Sequence, residues 1–220
     1  MAYNIVLFDL DGTLTDSGEG IINSVIYSLK KRGITEDDRE KLKCFVGPPL
    51  EESYRRYYGF NDIESKKAVE YYREYYQEKG IFENNLYNGI ENLLLNLKNN
   101  GKKLILTTSK PEYYAEKIVR YFKIEKYLDG VIGSNMDGTL TDKKELIEKV
   151  LETKCSRSNK SEIVMVGDRK YDIIGAKKNE IKSIGVLYGY GTREELISAG
   201  ADHIADNIEN LNKIIINSGC

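Results

Sequence analysis

Five short apolar runs, spaced by stretches long enough for amphipathic helices, constrain the folding of this chain more than any other feature. The runs are Ile5–Phe8, Lys103–Thr107, Gly130–Gly133, Ile163–Val166 and Ser183–Leu187. The first, fourth and fifth are almost continuously apolar, the pattern of parallel strands covered on both faces. Helical spacing fills the intervals at Gly89–Asn100, Pro111–Phe122, Lys143–Thr153 and Tyr171–Asn179. Such alternation predicts an α/β core with a doubly wound parallel sheet, Rossmann-like, with right-handed crossovers.

One segment departs from the pattern. From Ser17 to Leu86 only helical spacing is found, punctuated by Gly33, Gly47-Pro48-Pro49, Gly59 and Gly80. Tyr54, Tyr57 and Tyr58 fall at i, i+3, i+4, and Tyr71, Tyr72, Tyr75 and Tyr76 repeat the spacing on a second helix. These tyrosines read as the core of a small bundle rather than a base-stacking surface, and Arg55 and Arg56 as surface residues. Pro49 and Pro111 stand where helices begin, where a missing N–H costs little. The 220 residues therefore divide into an α/β core, 1–16 and 86–220, and an inserted all-α cap, 17–85.

The charge balance excludes several partners. Thirty-three Lys+Arg against thirty-five Asp+Glu leave a formal charge of −2, so no basic excess invites nucleic acid or a membrane surface. No apolar run approaches the roughly 18 residues of a spanning helix. Ile5–Phe8 follows the N-terminus without a basic segment, so no signal peptide is expected. Cys44, Cys155 and Cys220 are odd in number and scattered, which argues against disulfides or zinc and for a reducing cytoplasm. His203, the only histidine, reads as structural, as do the cysteines. Either a monomer or a homodimer is compatible with this composition.

Ligands of open α/β sheets bind beyond the carboxyl ends of the strands. Asp9-Leu10-Asp11, Thr107-Thr108-Ser109, Lys143-Lys144 and Gly167-Asp168, with Asp172 four residues on, all fall there. The hexapeptide Asp11–Asp16 recurs letter for letter as Asp137–Asp142, but Asn135 replaces the preceding Asp9, so only the first copy offers two carboxylates. Crowded like charges call for a hard divalent cation, and an oxygen-only donor set suits Mg²⁺. With a lysine and hydroxyls beside it, such a site suits a phosphoryl group. One carboxylate can attack phosphorus, while a second, Asp11, protonates the leaving alcohol and then activates water.

Ile5–Leu14 resembles the first motif of the haloacid dehalogenase superfamily of phosphatases. Leu106–Pro111 is similar to its second motif, and Val164–Asp172 to its fourth. The resemblance implies Asp9 as nucleophile, Asp11 as acid/base, and phosphate binding by Gly12, Thr108, Ser109 and Lys143. It implies Mg²⁺ held by Asp9, Asp168 and the Asp11 main-chain carbonyl, with Asp172 close by. Lys143 best fits the spacing to Leu146-Ile147, with Lys144 as the alternative. The insertion resembles the helical cap of the phosphoglycolate-phosphatase-like branch, where a loop like Val46–Leu50 faces the site. The segment Gly185–Asp202 is also similar to members named phosphoglycolate phosphatase or 5′-nucleotidase. The substrate implied is a small phosphorylated metabolite.

Other readings stand beside this one. Asp-x-Asp-Gly also occurs as a turn that caps a helix. A calcium loop fails, because Gly12 falls at loop position 4 and Gly20 occupies position 12. Thr108 or Ser109 can cap the helix at Pro111 while also binding phosphate. A non-catalytic phospho-receiver uses a similar residue set without Asp11. A mutase resembling β-phosphoglucomutase would return its phosphate to a sugar instead of releasing it.

Overall fold

The four apolar residues Ile5–Phe8 form strand β1, with every side chain buried. A strand covered on both faces belongs in the interior of a sheet. The computed structural model describes residues 3–217, and the chain divides into Met1–Thr15 with Leu86–Cys220, and Asp16–Asn85. After β1 come β2 (Thr15–Asp16), α1 (Gly18–Lys31), α2 (Arg39–Leu42), α3 (Leu50–Tyr58), α4 (Asp62–Tyr75) and β3 (Asn85–Leu86). The chain continues through α5 (Ile90–Asn99), β4 (Lys103–Pro111), α6 (Glu112–Tyr121), β5 (Gly130–Ser134), α7 (Lys143–Lys154) and β6 (Ile163–Gly167). It ends with α8 (Lys170–Lys178), β7 (Lys182–Val186), α9 (Arg193–Ala199), β8 (His203–Ala205) and α10 (Ile208–Asn217).

The larger unit holds a six-stranded sheet in the order β5-β4-β1-β6-β7-β8. All its pairings are parallel, and β1 runs between β4 and β6, with Phe8 opposite both Leu106 and Val166. The expected doubly wound sheet is present, with one strand more than the five apolar runs. That strand, β8, has three residues at the sheet edge, and only Ala205 is fully buried, so it carries no apolar run to read. Ile5 and Leu7 share one face with Ile105, Ile163 and Met165, packed against Leu146, Ile147 and Val150 of α7 and Ala176 of α8. Cys155 belongs to this core. Asp142 starts α7 by accepting a 2.7 Å hydrogen bond from the Lys144 N–H, which fixes where Lys143 emerges.

The second copy of the hexapeptide is a turn. Asp137 Oδ1 accepts from Thr139 N at 2.9 Å and Thr139 Oγ1 at 2.6 Å. His203 lies in β8 with Nε2 3.2 Å from the Tyr3 hydroxyl, and Cys220 lies outside the described residues.

Within Asp16–Asn85, α1, α3 and α4 bury Ile21, Val25, Leu29, Tyr54, Ala68, Val69 and Tyr72. Tyr54 stacks on Phe60 at 5.8 Å and meets Phe45 edge-on at 5.0 Å; Tyr54, Tyr72 and Tyr76 are core, whereas Tyr58, Tyr71 and Tyr75 are half-buried and Tyr57 is exposed. Asn61 and Glu64 cap α4 reciprocally, each side chain accepting the other's N–H at 3.0 Å. Arg55 is exposed and pairs with Glu51 and Asp62. Among the described residues no helix is long and apolar enough to cross a membrane.

Candidate active site

Asp9 follows β1 directly, and its N–H donates to the Val166 carbonyl of β6 at 2.9 Å. Asp168 follows β6, and Asp172 lies in the first turn of α8. Because β1 and β6 are adjacent and parallel, their ends bring these acids together. The three carboxylates are buried, and one oxygen of each lies within 4.8 Å of the others.

One lysine ties two of them. Lys143 Nζ lies 2.8 Å from Asp9 Oδ1, 2.9 Å from Asp172 Oδ1 and 3.0 Å from the Thr107 carbonyl. The ammonium donates to Asp9 Oδ1 and the Thr107 carbonyl and meets Asp172 Oδ1 as an ion pair. Lys144 instead points outward, with Nζ 3.9 Å from Glu148. The register follows from α7, whose buried stripe runs through Lys143, Leu146, Ile147 and Val150.

The acids are under electrostatic stress. Burial pushes the Asp9 carboxyl from 3.8 up to about 6, against the pull of Lys143 and with Asp172 and Asp11 adding to the rise. Burial raises Asp168 as well, reinforced by Asp172 and Asp9 and opposed by the Tyr190 N–H. Burial alone would lower Lys143, but Asp172 and Asp9 outweigh it and hold the ammonium above its ordinary range. Three acids against one shared lysine leave an excess of buried negative charge.

The shell around Asp168 was not legible in the sequence. Its Oδ2 accepts the Tyr190 N–H at 2.8 Å, while Oδ1 is buried without a hydrogen-bond partner. Gly12 has φ +82°, and a Cβ there would strike the Asp168 carboxylate; one on Gly189 would strike both Asp168 and the Gly12 carbonyl. The Gly12 N–H donates to the Thr15 carbonyl at 2.8 Å, so it is engaged within its own loop, and this glycine's contribution is the space it leaves. Tyr188, next to Gly189, donates its hydroxyl to the Thr13 carbonyl at 3.1 Å.

Asp11 stands outside the three-acid cluster. Its Oδ2 lies 2.9 Å from Lys110 Nζ, and Oδ1 is buried without a hydrogen-bond partner. Lys110 carries no periodic signal, and it falls inside Leu106–Pro111 without a role assigned to it there. Thr108 is 1% exposed, and its Oγ1 accepts the Lys110 N–H at 3.2 Å. The Ser109 hydroxyl donates to the Thr141 carbonyl at 3.0 Å. Both hydroxyls sit on the end of β4, beside the carbonyl that receives Lys143.

Similarity to known proteins agrees with this arrangement. The sequence profile of the haloacid dehalogenase-like hydrolases matches residues 6–186. A 5′-nucleotidase of Pseudomonas aeruginosa is 38% identical over 215 residues, covering 98% of this chain and 96% of that protein. The tyrosine-protein kinase PtkA of Mycobacterium tuberculosis is 36% identical over 187 residues, 85% of this chain and 63% of that protein. A "predicted phosphatase" from Clostridium acetobutylicum has a crystal structure that superposes with a TM-score of 0.94 at 47% identity, covering 98% of this chain and 99% of that one. With the motif-bearing strand ends, the buried acids and these likenesses together, the chain belongs to the haloacid dehalogenase-like hydrolase family.

Proposed function

We propose that this chain is a Mg²⁺-dependent phosphatase that hydrolyses a small-metabolite phosphomonoester through an aspartyl phosphate on Asp9. The observation that carries this reading is the buried trio Asp9, Asp168 and Asp172, with Lys143 bridging two of them and Asp168 Oδ1 left without a hydrogen bond. An excess of buried carboxylate oxygens fits a hard cation. Asp9, Asp168 and the Asp11 main-chain carbonyl would hold it, with Asp172 alongside. Bound there, Mg²⁺ supplies charge neutralisation at the phosphoryl oxygens.

The remaining work falls to the chain's own groups. Lys143 engages Asp9 Oδ1, leaving Oδ2 to attack phosphorus. The P–O bond to the alcohol breaks as Asp11 gives that oxygen a proton. Asp11 then takes a proton from water, which attacks the acyl phosphate, and Asp9 is regenerated as inorganic phosphate leaves. Lys143, Thr108 and Ser109 would bind phosphoryl oxygens, and residues 17–85 would act as the cap that selects the leaving group.

Nucleoside 5′-monophosphates are the first substrates to test, supported by the 5′-nucleotidase relative at 38% identity. Purified protein, assayed against these, phosphoglycolate and sugar phosphates, is expected to release phosphate and alcohol one to one with Mg²⁺, and to stop in EDTA. Absence of free phosphate from every ester overturns the reading. Phosphate kept on a sugar identifies a mutase, and a stable label without turnover a receiver. The kinase-named relative makes transfer to a tyrosine hydroxyl the second reading, and labelled phosphate found on protein instead of in solution would favour it.

Cation binding is expected to depend on pH. Ligand carboxylates bind the ion only when ionised, so protons compete as the pH falls through about 6, the value to which burial raises Asp9. Calorimetric titration with Mg²⁺ should show affinity dropping about tenfold or more between pH 7.5 and 5. For the metal-free chain the sign is set by the same shift. Between 3.8 and about 6 folded Asp9 retains a proton that the unfolded chain has lost. Its contribution to stability therefore declines as pH rises through that window. An affinity independent of pH would remove Asp9 from the ligand set.

A further inference from the structure

Asp9 and Asp11, two residues apart, are each held by a different lysine. Lys143 engages Asp9 together with Asp172, whereas Lys110 reaches Asp11, at 2.9 Å from Oδ2. Both members of this second pair are nearly closed to solvent, with side chains 7% and 11% exposed. The other Asp11 oxygen, Oδ1, is buried and accepts no hydrogen bond. One oxygen is thus tethered and the other left open to a proton donor or acceptor.

The route by which Lys110 gets there is built into β4. The pairing of β4 with β5 is regular through Thr107 and shifts register before Pro111, an irregularity that re-aims side chains. Hydrogen bonds pin the shifted stretch from both sides. Ser134 Oγ donates to the Ser109 carbonyl at 2.8 Å, Ser109 Oγ donates to the Thr141 carbonyl at 3.0 Å, and the Lys110 N–H meets Thr108 Oγ1 at 3.2 Å. The pinned backbone fixes where the Lys110 stem begins, and the nearly closed surroundings of its side chain, 7% exposed, hold the ammonium against the carboxylate.

We propose that Lys110 is a positioning residue that holds the Asp11 carboxyl so that Oδ1 delivers a proton to the leaving oxygen and then accepts one from water. This inference rests on the phosphatase reading and deepens it. The proton balance is that of the proposed reaction: one leaves Asp11 as the ester P–O bond breaks, and one returns from the attacking water as the acyl phosphate opens. Lys110 transfers none and makes no bond to phosphorus.

p-Nitrophenyl phosphate separates the two steps, because its leaving group departs without a proton. Lys110→Met is expected to give a burst of about one nitrophenolate per site, near the wild-type rate. Slow turnover follows, since water is no longer deprotonated. On an alkyl ester such as a nucleoside monophosphate, where both steps need Asp11, kcat should fall about 10²-fold or more with KM within about threefold of wild type. In an Asp11→Asn background, Lys110→Met should change either rate less than about threefold, because residues acting as a unit are not additive.

Equal losses in both backgrounds overturn the proposal, as does a raised KM with unchanged kcat, which would place Lys110 on the substrate. Loss of the burst together with a lowered Tm reduces it to a structural role. If Lys110→Met alone fails to fold, Asp11→Asn and the Asp11→Asn/Lys110→Met pair carry the test, the pair removing the bare carboxylate along with its lysine. Inactive wild-type protein on every ester defeats the phosphatase reading. Active wild-type protein without the predicted split defeats only the role of Lys110.

Discussion

Asp9→Asn is expected to release phosphate from any ester the wild-type protein accepts about 10⁴-fold more slowly, or not at all. The amide is nearly isosteric and keeps an oxygen for Lys143, so the loss is chemical: a carboxamide does not form an acyl phosphate. The ammonium retains Asp172 at 2.9 Å and the Thr107 carbonyl at 3.0 Å, and circular dichroism should match the wild type. Brief incubation with labelled substrate and acid quenching gives the second readout. Wild-type protein should carry a hydroxylamine-sensitive label, and the variant none. Activity retained within tenfold of wild type, with Mg²⁺ present, would eliminate Asp9 as the nucleophile.

The largest effect on folding is expected at Lys143. Its ammonium bridges Asp9 and Asp172 inside the unit, with the residue 4% exposed. Lys143→Met leaves three buried acids without that cation, and breaking such a pair costs about 3–5 kcal/mol. For a chain of this size that lowers Tm by roughly 6–20 °C. Added Mg²⁺ should restore part of the loss. Lys144→Met is the control: its Nζ is 3.9 Å from Glu148, with a side chain 44% exposed, and surface changes of this kind stay within about 0.5 kcal/mol. Thermal denaturation of both variants, with and without Mg²⁺, makes the comparison. Equal shifts at 143 and 144 would contradict the bridging role.

The parts of this molecule that could be read from its residues are those with a period or a run. Ile5–Phe8, Ile163–Val166 and Ser183–Leu187 announced buried parallel strands because both faces of each must be apolar. The acids at their ends followed from strand direction alone. Lys143 and Lys144 differ by about 100° around a helix, and the stripe Leu146, Ile147, Val150 favours the first. β8 escaped because a three-residue edge strand has no inner face to advertise.

Lys110 and the Gly189–Tyr190 turn escaped for another reason. Their positions depend on a register shift and on a close backbone approach, and neither leaves a local pattern. The Asp137–Asp142 copy shows the converse: it too follows a strand, β5, yet with Asn135 in place of the first acid the identical hexapeptide makes only a turn.

Asp168 sits in a hollow whose walls are hydrogen atoms where other residues would carry carbon. Neither Gly12 nor Gly189 possesses a side chain that could bind, donate or attack. A single added methyl at either position nevertheless displaces the acid most deeply enclosed in the molecule. The vulnerability of the proposed ion site to inherited change therefore extends to two positions that an inventory of reactive side chains would leave blank.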